Sequence, residues 1–241
     1  MKITFKKQFF KTLLSPQGAD ILWRILEDME IRSIYETADL ISRVELETPH
    51  DYTHALRATY ICGKLIQLVK DTNLRSELYK ILDEQSMNLA LLIASYLHDI
   101  GNFVNREEHA LAGSIIAFNI LDKYLREVEN GDIIKSIICH SIAEHSPRKV
   151  LPTTVHSSIV ALSDKLDISR VRVAGHQLST FKEYATDDVL EISLRKRREL
   201  ITIEITISHP SGLYRIEKLK NFLNVYDLIN RHFEINVKRS F

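Results

Sequence analysis

Cysteine is scarce in this 241-residue chain: Cys62 and Cys139 stand far apart and form no CxxC pair. That excludes a disulfide scaffold and a zinc ribbon, and it points to a reducing compartment. Net charge is missing too, since 32 lysines and arginines face 32 aspartates and glutamates. No overall field therefore draws the chain to nucleic acid or to a membrane surface. No apolar run reaches about 18 residues, which excludes a membrane-spanning helix. The N-terminal "MKITFKKQFFKTLL" has neither a long apolar segment nor a small-residue cleavage site, so the expectation is a cytoplasmic protein. Glycine and proline are also few, seven and five, which favours long helices over a turn-rich architecture.

What is present follows from that economy of breaks. From Pro16 to about Val173 apolar residues recur at three- and four-residue spacing, predicting helices near 17–43, 50–70, 74–98, 107–126, 130–143 and 154–174. After Thr180 the period falls to two in Val189–Leu194 and Leu200–Ile207, joined by the charged turn Lys196-Arg197-Arg198-Glu199. A helix over 212–231 and a last strand, Phe233–Val237, complete a β-β-α-β piece. The fold class is mainly α, a helical bundle with a small C-terminal α+β subdomain. The division reads 1–47 as a helical extension, 48–180 as the main domain and 181–241 as the appendage. The basic "RKRRE" reads as a solvated hairpin turn rather than a nucleic-acid patch. Leu213, Ile216, Leu219, Phe222 and Tyr226 form the stripe that would cover the strands, and the appendage would dock on the helical domain or on a second copy.

Seven of the ten histidines, His50, His54, His98, His109, His140, His145 and His156, fall between residues 50 and 156. His54 shares a helical face with Ala58, Ile61 and Leu65; His109 with Ala112, Gly113 and Ile116; His140 with Ile133 and Ile137. His98-Asp99 ends the apolar run Leu89–Ala94, and Asp164 follows Val160 and Ala161 on an inward side. One such residue alone is more often a hydrogen-bonded core group than a ligand. Several imidazoles and two carboxylates sent into one interior make a poor core, because an unpartnered buried carboxylate costs several kcal/mol. A divalent cation removes that cost, since imidazole and carboxylate are its ligands.

The ordered set resembles the HD-domain superfamily of metal-dependent phosphohydrolases. "TPHDYTHALRA" is similar to that family's opening motif, "HDIG" to its central one, and "ALSDKLDISR" to its closing helix. The resemblance covers about residues 48 to 172 and implies an HD-type helical bundle. It implies His54, His98, Asp99 and Asp164 as ligands of a first ion, with His109 and His140 helping to hold a second. Asp99 and His98 are the implied catalytic pair, with Asp99 bridging the ions or orienting water. His98 and Asp99 would converge where Gly101 lets the chain turn. Lys165 and Arg170 are the cations chosen for substrate phosphate, with Arg57 and Arg148-Lys149 as further candidates. His145, about 140° around a continuous helix from His140, stands as a substrate-side residue, and Asp167 as support behind a ligand. His50, His156, His176, His209 and His232 read as structural or surface residues.

The implied chemistry is hydrolysis of a phosphate ester or anhydride by water activated on one or two divalent ions, with Mn, Fe, Mg, Co and Zn not distinguished. Asn102 replaces the lysine common in the cyclic-dinucleotide branch, and "SIAEHSPRKVLPTT" stands where that branch has its "GYP" loop. The spacing of His109, His140 and Asp164 is similar to that of members that cleave nucleotides or dinucleoside polyphosphates. The resemblance therefore implies a nucleotide or related small phosphate as the partner, with no membrane and no nucleic acid expected and the appendage as the surface through which a homo-oligomer could form. The alternative is an HD-fold regulator that binds metal or nucleotide without turnover.

Overall fold

The computed structural model describes residues 7–44, 50–146, 151–226 and 228–241. Helices run in the order α1 (Lys7–Lys11), α2 (Pro16–Leu26), α3 (Met29–Val44), α4 (Tyr52–Val69), α5 (Leu74–Leu78), α6 (Glu84–Leu97), α7 (His109–Leu125), α8 (Gly131–Glu144), α9 (Val155–Lys165) and α10 (Phe181–Asp187). Strands β1 (Val189–Arg197) and β2 (Leu200–Ile207), helix α11 (Leu213–Val225) and strand β3 (Phe233–Arg239) close the chain. The expected mainly helical domain with a β-β-α-β piece is what forms.

Capping side chains cut two of the expected helices. Asp28 accepts the amides of Glu30 (2.7 Å) and Ile31 (3.1 Å), which ends α2 and starts α3 inside the predicted 17–43 helix. Asp83 accepts the amides of Gln85 and Ser86 and opens α6 inside the predicted 74–98 helix. A side-chain oxygen at this position satisfies donors that a helix start otherwise leaves unpaired. Asp51 does the same for α4 through the amide of His54, at 2.8 Å. The predicted 154–174 helix ends at Lys165, and a short 3-10 turn follows at Arg170–Arg172.

Helix α6 is the axis of the fold. Every residue from Met87 to Leu97 is buried, which marks a helix surrounded on all sides. It packs against α2, α4, α8 and α9. Its last turn delivers His98 and Asp99, followed by the 3-10 turn Ile100–Phe103. Gly101 has no left-handed φ, so the expected turn is not its role. A Cβ there would lie 2.1 Å from the His109 carbonyl and 2.5 Å from the Gly113 amide. Glycine is required because α7 passes against this backbone, and that close approach sets where His109 stands.

The C-terminal sheet has the order β1-β2-β3, with β1 and β2 antiparallel and β2 and β3 parallel. Arg197 pairs with Leu200, so the turn is Arg198-Glu199 alone, and Arg198 takes the left-handed φ of 57° or so that a two-residue hairpin needs, here 56°. The basic "RKRRE" has a structural partner: Glu204 on β2 receives Arg197 at 3.2 Å, Arg195 at 3.4 Å and Lys238 at 3.5 Å. Ile201, Ile203, Ile205 and Ile207 are fully buried and join one continuous core with Ile216, Leu219 and Leu223 of α11. No described helix is long and apolar enough to cross a membrane.

Candidate metal centre

Five helices bring four imidazoles and two carboxylates to one place. His54 comes from the first turn of α4, His98 and Asp99 from the end of α6, His109 from the start of α7, His145 from the end of α8, and Asp164 from the end of α9. His54 Nε2 lies 3.4 Å from Asp99 Oδ2 and 3.2 Å from Asp164 Oδ1, and His98 Nε2 lies 3.3 and 3.6 Å from the same two oxygens. The other Asp99 oxygen, Oδ1, faces His109 Nε2 at 3.4 Å and His145 Nε2 at 3.6 Å. One carboxylate thus divides its oxygens between two histidine pairs.

The nitrogens are held in one tautomer. His98 Nδ1 donates to the Ser95 carbonyl (2.8 Å), His109 Nδ1 to the Arg106 carbonyl (2.7 Å) and His145 Nδ1 to the Ile142 carbonyl (2.7 Å). His54 Nδ1 faces Asp167 Oδ2 at 2.7 Å, and Arg57 Nε donates to Asp167 Oδ1 at 2.9 Å. Each ring therefore spends its Nδ1 proton on a fixed acceptor and turns Nε2 inward, the nitrogen a metal ion would take. The inward nitrogens meet in two pairs, His54 with His98 at 3.2 Å and His109 with His145 at 3.1 Å. Such a contact needs either a proton on one nitrogen or a metal ion between the two. Ligands about 2.1 Å from a single ion stand about 3.0–3.5 Å apart, which is the spacing of these donors. The residues fit one or two divalent ions.

Electrostatics give the same account. Burial, the largest influence, opposes ionisation of Asp99 and Asp164. Neighbouring charge outweighs it, chiefly His98 for Asp99 and Lys165 for Asp164, and holds both carboxyls well below the usual range. Burial likewise lowers His98, but Asp99 and Asp164 overcome it and push that imidazole up to about 10, so in the ion-free protein a proton occupies its Nε2. At His145 burial wins and the ring is pulled down to about 4. Asp167 is lowered by His54 and Arg57 against its burial.

Several residues stand elsewhere than expected. His140 is outside the cluster: its side chain is 40% exposed, its Nε2 lies 3.2 Å from Glu144 and its ring faces His156 at 5.4 Å. Helix α8 runs unbroken to Glu144, so the 140° offset holds. His145, in register with buried Ile134, Ile138 and Ile142, faces inward and His140 faces away. Arg170 also leaves the site, donating through Nε and Nη2 to the Asp187 carbonyl. Its neighbour Arg172 is buried at the cleft instead, with Nη1 on the Asp167 carbonyl at 3.1 Å. His50, read from the sequence as structural or surface, places Nδ1 2.5 Å from Asp99 Oδ2 and turns Nε2 toward Arg106 at 3.2 Å. Because arginine only donates, Nδ1 carries the His50 proton and gives it to Asp99. Burial pulls that ring down to about 3 and keeps it neutral. Lys165 pairs with Asp164 and lines the cleft, and Arg57 is buried on Asp167. His156 is buried, while His176, His209 and His232 are partly or fully exposed. Arg148 and Lys149 lie outside the described residues.

The cluster floors a cleft of about 600 Å³. Its far wall is α11, with Tyr214, Arg215, Lys218, Phe222 and Tyr226 facing across. The appendage, expected to dock as a separate piece, is thus one side of the cleft.

Comparison with known proteins agrees with this geometry. The chain is similar to an uncharacterized protein of Methanocaldococcus jannaschii, 23% identical over 247 residues that span 92% of this chain and 94% of the relative. The family model described as HD domain matches residues 51–169, a segment that contains His54, His98, Asp99, His109, His145 and Asp164 and stops short of the sheet. HD domains bind divalent metals and form a family of metal-dependent phosphohydrolases. The helical part of this chain, from residue 51 to residue 169, is an HD domain.

Proposed function

We propose that the protein is a metal-dependent phosphohydrolase that cleaves an ester or anhydride bond of a nucleotide. The observation that carries this reading is the convergence of four inward Nε2 atoms on Asp99 and Asp164 at the floor of a cleft rimmed by cations and aromatic rings. His54, His98, Asp99 and Asp164 would hold one ion, and His109, His145 and the second oxygen of Asp99 another. When bound, such ions supply Lewis acidity toward a phosphoryl oxygen and a more acidic water. The chain's own residues do the rest. Asp99, oriented by the His50 hydrogen bond, fixes the geometry between the two histidine pairs. Asp167 and the three backbone carbonyls hold the imidazoles in the tautomer that leaves Nε2 open.

Substrate class follows from the walls. Arg106, Lys165, Arg172, Lys182, Arg215 and Lys218 outnumber the two carboxylates lining the same cleft, a balance suited to phosphate. Tyr214, Phe222 and Tyr226 offer ring faces for a base. A cleft of about 600 Å³ walled on two sides accommodates a small molecule better than a polymer.

The test is a panel of mono-, di-, tri- and cyclic nucleotides with manganese, magnesium, cobalt or iron, for the wild type and Asp99→Ala. The expected result is metal-dependent phosphate release that Asp99→Ala abolishes while the helical circular-dichroism signal stays. Full turnover in Asp99→Ala, or none in the wild type with any metal, overturns the reading.

A further inference from the structure

The HD match ends at residue 169, yet two side chains beyond it lie buried at the cleft, each with a polar atom that has no hydrogen-bond partner among the described residues. Arg215, near the start of α11, is 9% exposed, and its Nε has no hydrogen-bond partner among the described residues. Tyr226, just past the end of α11, is 2% exposed, and its hydroxyl is likewise without a partner among them. Both line the same cleft as Asp99 and Asp164. Buried polar groups in native proteins are almost always satisfied, and a desolvated guanidinium nitrogen without an anion to accept from it is a costly exception.

Asp164 cannot be that anion. It already faces His54 at 3.2 Å, His98 at 3.6 Å and Arg172 at 3.9 Å, and it pairs with Lys165. Burial together with the neighbouring charge of Arg172 pulls Arg215 down to about 10, against the attraction of Asp164 and Asp167. Both guanidiniums line the cleft, and each disfavours the charge of the other. Guanidinium and phenol hydroxyl both donate hydrogen bonds, and a tetrahedral oxyanion accepts several at once.

We propose that Arg215 and Tyr226 form an anion subsite beside the metal centre that holds a phosphoryl group other than the one cleaved. The substrate then carries at least two phosphoryl groups, as in a nucleoside di- or triphosphate or another polyphosphate. This rests on the phosphohydrolase reading for its place in a reaction, but the binding it requires is measurable without turnover.

The experiment is calorimetric titration of inorganic pyrophosphate and of inorganic phosphate into the full-length, manganese-loaded protein. Arg215→Gln should weaken pyrophosphate binding by about tenfold or more, and Tyr226→Phe by about threefold. Phosphate, which the centre alone can hold, should change by less than about twofold in both variants, and manganese stoichiometry should not change. Unaltered pyrophosphate affinity overturns the subsite, as does an equal loss for phosphate and pyrophosphate. If Arg215→Gln fails to fold by circular dichroism, Tyr226→Phe decides alone, and unaltered pyrophosphate affinity again overturns the proposal. The two readings fail separately. Pyrophosphate discrimination without turnover of any nucleotide supports the subsite and sinks the hydrolase, while turnover without discrimination does the reverse.

Discussion

His140 and His145 are five positions apart on one helix, and only one can face the centre. The structure turns His145 inward, so the two substitutions should separate cleanly. His145→Ala is expected to lower bound manganese by about one ion per chain, since second-site ions rest on few protein ligands, and His140→Ala should leave the content unchanged. Mass spectrometry of the dialysed proteins decides, and equal content in both would remove His145 from the centre. His98 gives a pH prediction. Its imidazole, near 10 in the ion-free protein, lies above the unfolded value of about 6.5. The stability it contributes is therefore complete below about pH 6.5 and lost as pH rises through about 10. Metal binding runs the other way, because the ion must displace that proton. At pH 8, manganese should release about one proton per chain from this ring. In a chelator the unfolding midpoint should fall between pH 7 and 10. An absence of proton release in unbuffered titration would contradict a protonated His98 Nε2 in the ion-free protein. Of the inward histidines, His54, His98 and His109 were legible because each stands at an end of an apolar helical face. His50 was not, because it precedes the cap Asp51 and so lies outside any helical period. For His145 the signal was present in the register of Ile134, Ile138 and Ile142.

At the scale of elements, Gly101 joins the helix that carries His98 to the one that carries His109. Gly101→Ala puts a methyl group against backbone on two sides, which side-chain rotation cannot relieve. A loss of about 2 kcal/mol in urea unfolding is expected, in the range of overpacked cores. Manganese bound through His109 and His145 should weaken more than that bound through His54 and His98. Wild-type stability in this variant would mean that α7 is free to shift. The run of buried apolar residues made α6 legible as an element. The breaks at Asp28 and Asp83 were not, because apolar spacing continues across each of them and a capping carboxylate acts through backbone amides. Helix α10 was missed although Thr180 and Glu183 form a capping box, a signature short enough to be masked by the change of period after it. Arg215 was hidden in another way. The stripe Ile216, Leu219, Phe222 and Leu223 accounts for α11 as a cover for the sheet, and nothing in the spacing tells that the same helix has a second face on a cleft.

Across the whole molecule, the floor of the cleft comes from residues 54 to 164 and the opposing wall from residues 214 to 226. The sheet meets the helical domain through α4 and the Arg170–Arg172 turn, while α11 packs on α10. Such a joint is narrower than the core on either side of it, so the ion-free protein should show two overlapping heat-absorption peaks in scanning calorimetry. A ligand that touches floor and wall together acts as a clamp, binding only when both are in place. Its stabilisation grows with concentration and reaches about 2.7 kcal/mol at a hundred times its dissociation constant. Pyrophosphate with manganese should therefore draw the two peaks into one, whereas manganese alone should raise only the peak of the helical domain. Two peaks that move independently under pyrophosphate would show that wall and floor never close on the same molecule. The cooperativity of the folded chain then becomes a property supplied in part by what it binds.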